Sequence, residues 1–390
     1  MKMHRRARRL LAIGAVGTLT VAGLAAPAKA GPPGKWTRLT AGAVSLSDTP
    51  GMARASDGSL HVIYEQDTGS SESYAQAVVS RQGVSTAPAT VLGGWSSLIH
   101  MPVLIRDGSR LRLVFSGLRS TNIKDPFTSG ALYTALSTNG TSYTLNAGAM
   151  SHAKTAYSDY GADAVMNGTT PIGAFAFNES IYVHSGVSAK NPATEPDKTV
   201  TNGTCCLYHT ALVRDSATGA TYVGWSSNGS KPGLWVERVL PTASSPAFVP
   251  GSVNSKGDFI MTDQRVALAA RVGGGLYEAY CVGYPTCTGV RLWKVGATSS
   301  IAVPSSAGAT ANVAIAPAPG GQMWVIWTKS NHVYTALTNT AATGFGAVHN
   351  LTPPSGTSGV YKVAGEASNG TLDIVINNGA GLWHQQVNPS

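Results

Sequence analysis

The residues of this chain that can do chemistry fall into a few short stretches. Glu65, Asp67 and Glu72 form an acidic group, and Arg119, Lys124 and Asp125 a mixed one. The stretch from Thr155 to Asp163 interleaves aromatics with acids through Tyr157, Asp159, Tyr160 and Asp163. Cys205-Cys206-Leu207-Tyr208-His209 and Asp263-Gln264-Arg265 complete the set. Two carboxylates facing one another across a pocket can run acid and base, or nucleophile, roles on a glycosidic bond. A tyrosine made nucleophilic by a neighbouring carboxylate, with arginines clamping a substrate acid, suits sialoside hydrolysis. Tyrosine and histidine facing a uronic acid, with arginine neutralising its carboxylate, suit β-elimination.

On this reading Asp159 or Glu65 is the acid/base and Tyr157 the nucleophile or stacking partner. Arg265 and Arg119 clamp a carboxylate, and Tyr160, His209 and Asp263 line the site. Each has a plainer structural role to set against this. Asp159 and Asp163 can cap turns by bonding to backbone amides. Tyr157 and Tyr160 can cover the ends of neighbouring elements. His209 can be a satisfied inner-strand histidine, and Asp263-Gln264-Arg265 a structural ion pair. The cysteine spacing matches no zinc finger or ribbon, and there is no Walker or dinucleotide glycine motif, so neither metal nor cofactor is expected.

Residues so scattered need a scaffold that brings distant segments together, and the sequence repeats in a way that supplies one. Asp57-Gly58-Ser59 is a tight-turn signal followed by the short strand Leu60–Tyr64. Versions of it return at Leu111–Phe115, Pro171–Phe175, Thr221–Trp225, Leu276–Tyr280, Met323–Trp327 and Leu372–Ile376. The period is roughly 50 residues, the mark of a repeat architecture. In the first unit Met52–Ala55, Leu60–Tyr64, Tyr74–Val79 and Val84–Leu92 read as four antiparallel strands, one propeller blade. The seventh unit (Val360–Ala364, Leu372–Ile376, Gly381–Val387) lacks a fourth strand, and Trp36–Leu39 is an orphan near the other terminus. Closure of the ring by that orphan completes the last blade, removes an exposed edge and gives an all-β, seven-bladed β-propeller. The even spacing disfavours a pair of β-sandwiches. Third-strand aromatics (Tyr74, Tyr133, Tyr182, Trp235, Trp293, Tyr334, Trp383) are expected to pack between blades. Hairpins joining first to second strands then lie on one face. Loops leading into first strands, and those joining second to third, lie on the other, and this upper face collects the chemical groups named above.

Residues 1–30 read as a secretory signal: Lys2, Arg5, Arg6, Arg8 and Arg9, an apolar run, then Ala28-Lys29-Ala30 before Gly31. Arg8-Arg9 leaves both general and twin-arginine export open. The signal's Lys2, Arg5, Arg6, Arg8, Arg9 and Lys29 carry six of the formal +9, leaving the mature chain near +3. The basic balance therefore gives no reason to expect a nucleic-acid partner. The expected product is a single domain, 31–390, released as a monomer without a membrane anchor. Cysteines in an exported chain are expected to be oxidised. Cys281 and Cys287 can staple a local loop, whereas Cys205 and Cys206 can pair with each other or each reach another cysteine; three connectivities are open.

One short motif points to a family. Ser137-Thr138-Asn139-Gly140-Thr141-Ser142-Tyr143 resembles the Asp-box, Ser-x-Asp-x-Gly-x-Thr-Trp, at the expected turn between third and fourth strands. It is one residue short, with Asn for Asp and Tyr for Trp, and occurs once. With the repeat, it makes the chain similar to the sialidase (neuraminidase) superfamily and related BNR-type propellers. That resemblance implies three arginines, a Tyr/Glu nucleophile pair and an Asp acid, and a six-bladed alternative to the seven counted. The family's early Arg-Ile-Pro is absent, since the first strand reads Gly51-Met52-Ala53-Arg54-Ala55, so these roles do not transfer by motif. The expected activity is on extracellular glycans, as an exo-sialidase-like glycoside hydrolase or a polysaccharide lyase. The competing expectation is a non-catalytic, lectin-like propeller. A lectin predicts equivalent pockets repeated between blades, an enzyme one asymmetric pocket at the channel mouth.

Overall fold

The computed structural model describes residues 34–40, 42–45, 49–67, 71–95, 97–98, 101–118, 131–146, 149–150, 162–177, 180–187, 198–201, 206–310, 312–354 and 359–389. Seven antiparallel sheets stand in a ring, each a four-stranded blade, so the chain is a seven-bladed β-propeller. The first, innermost strands are Gly51–Arg54, Val103–Asp107, Ala162–Asn167, Leu207–Arg214, Ala267–Ala270, Val313–Pro317 and Lys362–Ser368. They surround a central channel. Blade 2 carries an extra short pairing, Ser97–Leu98 against Arg110–Leu118. Among the described residues helix is confined to one 3-10 turn, Pro319–Gly321.

Strands form here because apolar and β-branched residues alternate between turns, so both faces of each blade find a neighbouring blade to pack on. Tyr74 of blade 1 meets Phe115 of blade 2 edge-on at 5.5 Å, and Trp95 meets Tyr133 at 4.8 Å. Trp225, Trp293, Trp324 and Trp327 are fully buried. Tyr74, Tyr133 and Trp293 are buried between sheets, and Tyr182, Trp235, Tyr334 and Trp383 pack against the same clusters, as expected of third-strand aromatics.

The outer strand of blade 1 departs from expectation. It runs Ala89–Trp95 rather than beginning at Val84. Gly83 sits at φ 78°, turning the chain, and Pro88 has no N–H to give to a ladder, which delays pairing to Ala89.

The Asp-box-like turn is a tie between blades. Asn139 Oδ1 accepts the amides of Thr141 and Ser142 at 2.9 and 3.0 Å, and Ser137 Oγ accepts the Gly140 amide at 2.8 Å. Gln76 of blade 1 donates to Gly140 O at 2.6 Å and accepts the Tyr143 hydroxyl at 2.8 Å. Gly140 has φ +73°, and a Cβ there would stand 2.6 Å from the His61 ring. Only glycine lets this turn lie against blade 1.

The ring closes as the orphan strand suggested. Thr37 and Arg38 pair with His384 and Trp383. Leu39 N donates to Leu382 O at 2.8 Å, and Trp36 Nε1 donates to Thr352 O at 2.8 Å. Arg54 of blade 1 pairs with Asp373 of blade 7. Asp373 also accepts from His384 Nε2 at 2.7 Å, so first and last blades are joined by charge as well as by backbone.

Candidate functional site at the channel mouth

The channel is a cavity of about 290 Å³, lined by the inner strands of every blade. Blades 1, 2 and 6 contribute mostly apolar wall, including Met52, Val103, Leu104, Val313 and Ala314. Its charged lining is uneven: Asp163 from blade 3, Arg265 at the start of blade 5 and Glu366 from blade 7.

Three consecutive residues before the first strand of blade 5 cross the upper mouth. Asp263 reaches blade 7, where the Lys362 ammonium pairs with its carboxylate and donates to its carbonyl at 3.1 Å. Gln264 Nε2 donates to Val313 O of blade 6 at 2.8 Å, and its Oε1 accepts the Val363 amide at 3.3 Å. Arg265 Nε donates to Ala162 O of blade 3 at 2.9 Å, and one of its Nη groups to Pro102 O at 3.1 Å and to Met101 O beside blade 2. The tripeptide is a hub tying blade 5 to blades 2, 3, 6 and 7. Lys362 is only 2% exposed, whereas the Asp263 side chain is 68% exposed, so the pair offers its anionic side to solvent.

His209 sits beside this hub at the start of blade 4. Its φ of 57° is left-handed, and the pairing register of Leu207–Arg214 shifts between Tyr208 and Ala211. That irregularity re-aims the side chain, the usual effect of a bulge at a strand end. His209 O accepts the Val266 amide at 3.0 Å, which locks the irregular segment to blade 5. Burial holds the imidazole pKa down to about 4, with Lys362 lowering it further and Asp263 opposing. His209 is thus a neutral imidazole at neutral pH, and its Nδ1 is buried without a hydrogen-bond partner. Asp163 accepts the amides of Leu212 at 2.7 Å and Ala164 at 2.9 Å. Burial raises its pKa, with Arg265 and those amides pulling the other way.

The opposite end of the channel holds Glu366. Burial pushes its carboxyl up to about 7, against the pull of Arg54. His384 is held to about 4 by burial and by Arg54.

Of the residues proposed from sequence, the structure gathers Arg265, His209 and Asp263 at one mouth. Glu65 ends up elsewhere. It is 4% exposed on the second strand of blade 1, opposite Tyr74, and lines a separate cavity of about 360 Å³ beside Thr40, Val44 and Ser45. Tyr157, Asp159, Tyr160, Arg119 and Cys205 lie outside the described residues. Cys281 and Cys287 form the expected local disulfide, and Cys206 is also disulfide-bonded. Among the described residues no cluster of three or more His, Cys, Asp or Glu is placed to hold a metal ion, and no helix is long and apolar enough to cross a membrane. Sequence reasoning missed Lys362 and Glu366. The one available signal was a charged residue inside or just after a strand read as apolar.

No family model matches the sequence, and no curated protein matches it. Solved structures do. A polysaccharide lyase of family PL25, an ulvan lyase bound to -[GlcA(1-4)Rha3S]-, aligns with a TM-score of 0.52 at 9% identity, over 93% of this chain and 94% of that one. The polysaccharide lyase Uly1 aligns at 0.51 and 8% identity, over 87% and 90%. A puromycin-hydrolyzing peptidase from Mycobacterium tuberculosis aligns at 0.50 and 11% identity, over 89% of this chain and 52% of that one. This chain spans about half the length of that peptidase, and at such identities the likeness establishes the fold alone.

Proposed function

We propose that this chain is a secreted propeller, residues 31–390 after loss of the signal, that cleaves an acidic extracellular polysaccharide by β-elimination at the upper channel mouth. The observation that carries the reading is the neutral, buried imidazole of His209 beside the Asp263–Lys362 pair and Arg265, an asymmetric group drawn from blades 4, 5 and 7. In the proposed step His209 takes the proton α to a uronate carboxylate. The electron pair forms the C4–C5 double bond, the C4–O bond breaks, and the leaving oxygen takes a proton from a tyrosine, for which Tyr157 and Tyr160 are the candidates. Arg119 is the candidate to neutralise the uronate carboxylate with Arg265, and Asp159 is the candidate acid/base named from the sequence. A neutral imidazole has a lone pair free to accept the proton at neutral pH, and its lowered pKa means that bound substrate has to raise its basicity for the step to be efficient. The overall likeness to two polysaccharide lyases supports the same reading.

A non-catalytic glycan-binding propeller is the second reading. It is favoured by the engagement of Arg265 with three backbone carbonyls and of Asp163 with two amides, which leaves those charges structural.

The test is incubation with acidic and neutral polysaccharides, including a polymer of glucuronate and sulfated rhamnose, with mass spectrometry of the products. Unsaturated oligosaccharides absent from a His209→Ala digest are expected. Saturated products would move the reading to hydrolysis, and binding without any product to the second reading.

A further inference from the structure

Five large apolar side chains among the described residues are substantially exposed: Val84, Phe248, Met261, Val272 and Tyr284. Val84 and Val272 belong to lower-face turns, and Phe248 to the outer strand of blade 4. Met261 and Tyr284 lie on the upper face, Met261 in the connection leading into the first strand of blade 5 and Tyr284 in the loop joining its second and third strands. Tyr284 is the most exposed of the five, at 54%.

Tyr284 is not on a loose loop. The Cys281–Cys287 disulfide closes the loop at its base, and both cysteines are buried, at 8% and 4%. Thr288 N donates to Val282 O at 2.7 Å, and Gly308 N donates to Cys287 O at 3.0 Å, anchoring the base to the connection with blade 6. Gly283 has φ +105°, and a Cβ there would stand 2.6 Å from Thr286 O, so the turn beneath the tyrosine accepts only glycine. A ring held out on a fixed base has little freedom left to lose on binding.

The base of the loop is separated from the channel by one small cavity. Cys281, Phe259 and Ile260 line a small cavity whose wall includes Arg265, Val266, Ala267 and Val313, all of which also line the channel. In sequence Tyr284 is followed closely by Thr286 and Thr288, and Thr262 lines the small cavity at the base of the loop. A docking peptide would call for a broad contiguous apolar patch. One exposed aromatic ring with a hydroxyl tip matches a pyranose instead, which offers an apolar C–H face and a polar rim.

We propose that Tyr284 is a sugar-stacking platform, a subsite that extends the channel-mouth site along the upper face of blade 5 and takes one ring of the polysaccharide. The proposal rests on the polysaccharide reading above. It is tested by titrating the full chain, Tyr284→Ala and Tyr284→Trp with the glucuronate–sulfated rhamnose polymer and with neutral polysaccharides, alongside Tm. Tyr284→Ala is expected to weaken binding about tenfold, raising KM with kcat and Tm unchanged, while Tyr284→Trp retains affinity. Undiminished binding by Tyr284→Ala overturns the platform and leaves the channel-mouth reading standing. Equal loss in both variants with a fall in Tm also overturns it, since that is a structural role. A wild-type chain that binds none of the polysaccharides overturns both.

Discussion

Among the described residues Glu278 is the buried carboxyl whose two oxygens both lack a hydrogen-bond partner. It is fully buried in the second strand of blade 5. Burial drives its pKa well above the ordinary carboxylate value, so the group is held as the neutral acid. The adjoining cavity of about 20 Å³ has room for one water. The folded pKa exceeds the unfolded one, so this group's contribution to stability is whole below the unfolded value near 4.5 and is lost as pH rises toward the folded value. Glu278→Met is therefore expected to raise stability by about 1–3 kcal/mol, with the gain larger at pH 8 than at pH 5 in denaturant melts. A loss of stability at both pH values would show that the carboxyl is satisfied. His209 runs the opposite way. Its folded pKa of about 4 lies below the ordinary 6.5, so its contribution is whole above 6.5 and is lost as pH falls toward 4. His209→Gln should flatten that part of the stability–pH curve, and the same titration should leave no break near pH 6.5 in a rate profile that depends on this base.

Among the elements, the hub Asp263-Gln264-Arg265 decides most about the site, and it separates what the sequence carries from what it does not. Arg265→Met is expected to cost about 2–3 kcal/mol, read as a fall in unfolding midpoint, because carbonyls of blades 2 and 3 lose their donor. An unchanged midpoint with lost glycan affinity would make Arg265 a substrate clamp instead. The recurring turn-and-strand units, their aromatic ends and the orphan Trp36–Leu39 were legible because each blade is a local pattern of alternation and turn residues. Lys362 was not, because its partner Asp263 lies 99 residues away and spacing carries no information across blades. Glu65 shows the same limit from the other side. A carboxylate directly after a second strand reads as a channel-mouth group, yet the structure lines a lateral cavity with it. The Asp-box-like turn was legible as a turn, but its work as a bolt on Gln76 and His61 of blade 1 needed three dimensions.

At the scale of the whole molecule, a ring has no weak edge only while its closure holds. Leu39 is 2% exposed and packs with Leu60, Val62, Val375 and Leu382 across the first and last blades. Leu39→Ala is expected to cost about 2–5 kcal/mol and to lower Tm cooperatively, since opening one junction exposes two sheet edges. A Tm unchanged from wild type would mean that closure rests on Arg54–Asp373 and the backbone pairing alone. The ring also frames the functional claim, because seven similar blades allow seven similar pockets, whereas the charged lining of the channel is uneven, with Asp163 and Arg265 together and Glu366 at the other end. The decisive measurement is the stoichiometry of binding of a glucuronate–sulfated rhamnose oligosaccharide to the His209→Gln chain by isothermal titration calorimetry. One site per chain is the result expected of a single asymmetric channel-mouth site. Several equivalent sites per chain would contradict it and place the glycan between blades.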